Sequence, residues 1–190
     1  EDEQGNYYIG TSDALSIVTI SNGLKVRKTL QEIMYARSIA IGKAGDVAVV
    51  NNSGQLFIIN NQMIKETFTL KTGNAETFYT CCKYMDNGDL LVGTTTNEMY
   101  RLRKTNGKYR TIKRYTTGNL QQISSIASDD QGNYWVCSGS GIGYLQREKF
   151  HTFDTNTFNS SIDNMTMDYQ GNLWFTSSRL GLLKLSKTCF

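Results

Sequence analysis

Ser128-Asp129-Asp130-Gln131-Gly132-Asn133-Tyr134-Trp135-Val136-Cys137-Ser138 sets a polar corner directly before a run of aromatic and β-branched residues. In the corner, glycine supplies the positive φ of a tight turn and aspartate bonds the backbone amides ahead of it. The run after it has the composition of a strand. Working outward, Ile123 to Ser128 alternates apolar and small polar residues and reads as a strand before the corner. Ser138-Gly139-Ser140-Gly141 turns the chain, Ile142 to Gln146 reads as a third strand and Lys149 to Phe153 as a fourth. Four short strands in about 40 residues make one antiparallel blade.

The corner recurs. Gly5-Asn6, Gly45-Asp46, Gly88-Asp89, Gly132-Asn133 and Gly171-Asn172 each precede an apolar strand, with successive anchor glycines 40, 43, 44 and 39 residues apart. A period of this length filled with short strands is the signature of a β-propeller. The expected fold is therefore all-β: a propeller segment of about four to five four-stranded antiparallel blades. It divides into a partial blade over 1–30, blades over 31–72, 73–116 and 117–156, and a partial blade over 157–190. The first repeat enters at its second strand and the fifth stops as its fourth begins. A larger ring is the favoured reading, a closed five-bladed ring the alternative. A flat solenoid is disfavoured because its repeats are usually shorter.

Two stretches compete with this parse. Leu30, Ile33 and Met34 fall at helical spacing within Lys28 to Ala36, where a single helical turn could sit as a competing reading. Ile123, Ile126 and Ala127 do the same, but the register of the repeat makes them strand. The second strand of each repeat is almost continuously apolar, as a sheet covered on both faces requires. Trp135 and Trp174, each three residues after its glycine, are expected to be packing wedges between blades.

Composition excludes several classes of function. With 39% hydrophobic and 19% charged residues the chain is not disordered. A net charge of +3 is too small to suggest nucleic acid. The basic stretch from Arg101 to Arg114 is expected to be the solvated face of two adjacent outer strands. No run of about 18 apolar residues occurs, so no direct membrane insertion is expected. Cys81 and Cys82 are neighbours, Cys137 lies inside a repeat and Cys189 beside the terminus. With one histidine and no CxxC pair, no metal site and no cofactor are expected, and the thiols read as buried and free. The acids Asp129, Asp130, Asp163 and Asp168 sit singly at turns, where capping backbone amides accounts for them.

The fourth and fifth repeats, Asp129 to Ser138 followed by Gly141-Ile142-Gly143-Tyr144-Leu145, and Asp168-Tyr169-Gln170-Gly171-Asn172-Leu173-Trp174-Phe175-Thr176 followed by Gly181-Leu182-Leu183-Lys184-Leu185, resemble the two-component regulator propeller repeat. The first repeat matches moderately. The second and third carry Ala48 and Leu91 in place of the aromatic and rest on period and glycine. The resemblance implies the extracytoplasmic sensor region of a hybrid histidine kinase or diguanylate cyclase. Such a propeller lies on the periplasmic or extracellular side of the cytoplasmic membrane, is not catalytic, and often detects a carbohydrate-derived ligand. The expected partners are a small-molecule ligand, a glycan foremost, and the rest of the parent sensor, with a second copy of the chain as a further candidate.

Enzymatic propellers are the alternative. Streptogramin lyases depend on histidine, and here the only one is His151, flanked by Phe150 and Phe153 on an outer strand. A sialidase-type Asp box has the spacing Asp130-x-Gly132-x-x-Trp135, but the fifth repeat carries its acid at Asp168, three before the glycine. A protein–protein interaction scaffold is the third reading. For ligand binding, the loops between second and third strands and those between blades share one face of a propeller. The candidates there are Tyr35, Arg37, Asn74, Glu76, Asn119, Gln121 and Arg179, with Tyr35 and Arg37 suited to stack on and bond a sugar or sugar acid.

Overall fold

The computed structural model describes residues 1–70 and 77–187. The strands are β1 (Asn6–Gly10), β2 (Leu15–Ile20), β3 (Leu24–Leu30), β4 (Ala36–Ile41), β5 (Val47–Asn51), β6 (Gln55–Asn60), β7 (Met63–Thr69), β8 (Tyr79–Tyr84), β9 (Leu90–Thr94), β10 (Glu98–Thr105), β11 (Lys108–Thr116), β12 (Ile123–Ser128), β13 (Tyr134–Ser138), β14 (Gly141–Gln146), β15 (Lys149–Phe153), β16 (Ile162–Met167), β17 (Leu173–Ser177) and β18 (Gly181–Leu185). They form five antiparallel meanders among the described residues: β1-β2-β3, β4 to β7, β8 to β11, β12 to β15, and β16-β17-β18. The first sheet starts at the strand equivalent to β5, and the last ends at the strand equivalent to β6. Consecutive inner strands β4, β8, β12 and β16 lie beside one another, so the sheets radiate from a shared centre.

The core lies between the sheets. Tyr8, Leu15 and Ile17 meet Val47, Val49, Phe57 and Ile59 between the first two blades. Val50, Leu56 and Ile58 meet Tyr79, Leu90 and Leu102 between the next two, and the same layering continues outward. Sheets packed on both faces explain why β5, β9 and β13 are buried along their whole length. The 28–36 stretch forms no helix. Strand β3 runs to Leu30 and a turn follows, because pairing with β2 satisfies the backbone through Leu30 and buries that side chain.

The corner has one construction in blades one, four and five and another in two and three. Gly132 has φ +79°, and the other four anchors lie between +75° and +86°, a region open to glycine. In the fourth blade Asp129, three residues before the glycine, accepts the Gln131 and Asn133 amides, the Asn133 side chain and the Trp135 indole N–H, each at 2.8–2.9 Å. Asp168 and Asp2 hold Trp174 and the Tyr8 hydroxyl in the same way. The equivalent of Asp168 is therefore Asp129, not Asp130, and the fifth repeat is in register with the fourth. Blades two and three have Gly42 and Met85 in place of that acid, and carry the carboxylate one residue after the glycine instead. There Asp46 and Asp89 are almost fully buried.

The basic stretch is a solvated face at Arg103, Lys104, Lys108, Arg110, Lys113 and Arg114, and the exception is Arg101, which is buried; the two buried carboxylates draw on this stretch. Asp89 accepts Arg101 Nε at 2.6 Å and two nitrogens of Arg103 at 2.8 Å. Asp46 accepts Lys104 Nζ and the Tyr109 hydroxyl, both at 2.8 Å, from the neighbouring blade. Arg101 is buried and also bonds Glu148 of the fourth blade, which receives Lys113 at 3.0 Å and the Tyr115 hydroxyl at 2.7 Å. Asn60 and Asn87 give Asp46 and Asp89 one neutral donor each, and the cations of the third blade supply the charge compensation that a buried carboxylate needs.

Trp135 is a wedge as expected, buried against Tyr144, Phe153 and Phe175. Trp174 is only partly buried, with Lys184 over its ring. Cys81, Cys82 and Cys137 are buried and free. Cys189 lies outside the described residues.

Candidate functional site

Backbone hydrogen bonds stitch the predicted loop face into a belt. Tyr35 donates its amide to the Thr11 carbonyl at 2.9 Å and accepts from Asn52 at 3.0 Å. Gln122 donates to Thr95 and accepts from Gly139, and Ser161 donates to Gly139 in turn. Tyr35, Gln122 and Ser161 each stand ten residues before an anchor glycine and each adopt φ near +50°. That turn lets one residue bond the second-to-third-strand turns of two blades at once, so the rim is rigid while its side chains remain outside.

One step inward, every described inner strand carries a β-bulge at one place. The pairing registers slip between Ala36 and Ser38, Tyr79 and Cys81, Ile123 and Ser125, and Ile162 and Asn164. The extra residues are Arg37, Thr80, Ser124 and Asp163, each eight positions before its anchor glycine. A bulge re-aims a side chain and bends its strand. Three of the four, Arg37, Ser124 and Asp163, line a cavity of about 690 Å³ bounded by β4, β8, β12 and β16, together with Ser38, Lys83 and Asn164.

The cavity wall is polar and only partly self-satisfied. Ser124 Oγ donates to the Ile162 carbonyl at 2.5 Å, and Asp163 accepts the Ser178 amide at 2.6 Å. Ser38 Oγ accepts the Cys82 amide at 3.1 Å. On β8, burial pushes the Cys81 thiol up to about 11, against smaller pulls from Thr80, Gly93 and the Arg37 charge. Burial likewise raises Cys82 and Cys137 to about 12. Such thiols are packing groups rather than nucleophiles.

Of the predicted site residues, Arg37 lines the cavity and Tyr35 stands on the belt, the residue 56% exposed. Asn119 and Gln121 are exposed beside it. The Asn119 carbonyl accepts Ser140 Oγ, and the Gln121 amide donates to that same oxygen. Arg179 is exposed in the β17–β18 turn, its amide bonded to Ser177 Oγ. Asn74 and Glu76 lie outside the described residues. Reading loops alone missed Lys83, Ser124, Asn164 and the placement of Asp163, because these sit on strands. The signal was present as a fixed offset from the anchor glycine at which the residue type varies. His151 lies on β15, stacked on Tyr144 at 5.1 Å, on the outer strand opposite the cavity side of its sheet.

No protein-family model and no curated protein matches the chain. Solved structures do. The extracellular domain of a hybrid two-component system protein from B. thetaiotaomicron superposes over 98% of the chain with a TM-score of 0.79 at 20% identity. The chain spans 27% of the length of that structure. Virginiamycin B lyase from Staphylococcus aureus matches over 96% of the chain and 70% of its own, with a TM-score of 0.68 at 16% identity. A protein of unknown function from Bacteroides caccae matches over 95% and 68%, also at 0.68, with 15% identity. At such identities the likeness concerns architecture: the chain is a run of β-propeller blades.

Proposed function

We propose that this chain is a non-catalytic, ligand-sensing stretch of propeller in a bacterial membrane signalling protein, on the periplasmic or extracellular side of the cytoplasmic membrane. Its ligand is a small polar molecule, a carbohydrate foremost, and it works joined to the rest of a larger sensor. The observation that carries this reading is the polar cavity of about 690 Å³ built by four successive inner strands. That volume lies within the range of small-molecule sites. The fold it shares with an extracellular domain of a hybrid two-component protein supports the setting.

The likeness to streptogramin lyases supports a second reading, that of a propeller enzyme. A lyase variant with one histidine changed to alanine is described as catalytically inactive. In this chain the single histidine is on an outer strand, away from the cavity, which favours sensing. The test is to incubate the protein with glycans and with a streptogramin, following melting temperature and product formation. A ligand at a hundred times its dissociation constant stabilises by about 2.7 kcal/mol. Saturable stabilisation without turnover supports sensing. Linearised streptogramin, or no response to any small molecule, overturns it.

A further inference from the structure

The charges around the cavity are unevenly settled. Five cations of the third blade are held by carboxylates: Arg101 and Arg103 on Asp89, Lys104 on Asp46, Lys113 on Glu148, Arg114 on Glu98. Arg37 and Lys83 line the cavity and have no ion-pair partner among the described residues. They come from adjacent inner strands, β4 and β8. The one carboxylate of the wall, Asp163, is two strands beyond β8, on β16, and holds the Ser178 amide. So one side of the cavity is cationic, and the other offers Ser124, Asn164 and the remaining valence of Asp163.

We infer that the cavity takes an anionic, hydroxyl-bearing ligand, an acidic saccharide in chemical class, with Arg37 and Lys83 reading its carboxylate or sulfate. Ser124, Asn164 and Asp163 receive its hydroxyls. This rests on the sensing role proposed above. Arg37 is suited to the task because a guanidinium forms paired bonds to a planar carboxylate or to two oxygens of a sulfate. Lys83, half-buried on a strand, adds a point charge in a setting less screened than open solvent. The bulge at position 37 matters because without it the alternation of β4 would be out of step with the cavity. At the same offset the other blades place Thr80, Ser124 and Asp163, so the ring of bulges spells a polar sequence around the axis rather than a uniform one.

The test is titration calorimetry on the 190-residue chain with matched probes: trigalacturonate and its methyl ester, and a sulfated disaccharide and its unsulfated form. One charged probe is expected to bind while its uncharged counterpart does not, and which of the two pairs responds tells carboxylate from sulfate. Arg37→Met and Lys83→Met are each expected to weaken binding about 10- to 100-fold, with Arg37→Lys intermediate. Circular dichroism and the melting temperature of each variant check that it is folded. Equal binding of charged and uncharged probes, or affinity indifferent to both substitutions, overturns this inference while leaving the sensing role standing. No binding by any probe, neutral or acidic, overturns both.

Discussion

Trp135 donates its indole N–H to a carboxylate oxygen of Asp129 at 2.8 Å, six residues back along the chain. The bond ties the core of the blade to the corner that starts its second strand. It also explains why an aromatic with a polar handle, Trp135, Trp174 or Tyr8, occurs where an acid stands three residues before the glycine, and Ala48 or Leu91 where none does.

Removing either partner separates packing from bonding. Trp135→Ala is expected to cost about 3–5 kcal/mol by leaving a cavity in the core. Trp135→Phe keeps a ring and loses the bond, and Asp129→Ala leaves a buried indole N–H without its acceptor. These are expected to cost about 1–3 kcal/mol. Urea denaturation of the three variants measures the order, and a Trp135→Phe variant less stable than Trp135→Ala would contradict it.

Acid should loosen the joint between the third and fourth blades. Bonds from the Tyr115 hydroxyl and Lys113, with Arg101 adding its charge, hold the Glu148 carboxyl at about 2, below its ordinary 4.5. Bonds from Trp174 and Asn172 hold Asp168 at about 2 as well, below 3.8. A folded-state pKa that is depressed contributes stability above the unfolded value and loses it as pH falls toward the folded one. Stability is therefore expected to fall between about pH 4.5 and pH 2. In Glu148→Gln the decline over that window should be shallower, as read from melting temperatures across the series.

The buried thiols should be silent. With Cys81, Cys82 and Cys137 buried and their pKa values raised to about 11, 12 and 12, thiolate is scarce at neutral pH. In a Cys189→Ser background, a disulfide reagent is expected to label no thiol of the native protein and three after denaturation. Fast labelling of native protein would show that the inner strands open.

Two glycines should respond differently to alanine. A Cβ at Gly132 meets nothing within 4 Å but must take φ +79°, at a cost of about 1–2 kcal/mol. Gly132→Asn should recover part of it, since asparagine visits that region. A Cβ at Gly93 would sit 2.6 Å from Ile123 Cγ2 and 2.8 Å from Cys81 Sγ, at the seam of two blades. Overpacking there is expected to cost about 1–3 kcal/mol, and asparagine should be worse, not better. Denaturation of the four variants distinguishes strain from crowding.

Much of the architecture was legible in the sequence. The glycine corner recurs because every blade needs the same left-handed turn, and the four strands of the fourth repeat follow from local alternation and turn chemistry alone. At β12 the register of the repeat prevails over a competing helical spacing. At 28–36 the competing helical spacing yields no helix, because β3 pairs with β2 through Leu30. The loop candidates were less informative: Arg37 reached the cavity, while Asn119, Gln121 and Arg179 stayed on the exposed rim.

By itself the sequence determined the fold, since period, corner and strand composition act over a few residues and need no knowledge of distant partners. Tertiary structure decided where the charges went. Arg101 meets the buried Asp89 through strand pairing inside the third blade, 12 residues apart, whereas Lys104 meets the buried Asp46 only because blades stack, 58 residues apart in sequence. Whether Arg37, Ser124 and Asp163 share a cavity depends on bulges that appear only once neighbouring strands pair out of step. Short-range backbone preferences write the blade, and long-range burial and charge compensation write its site.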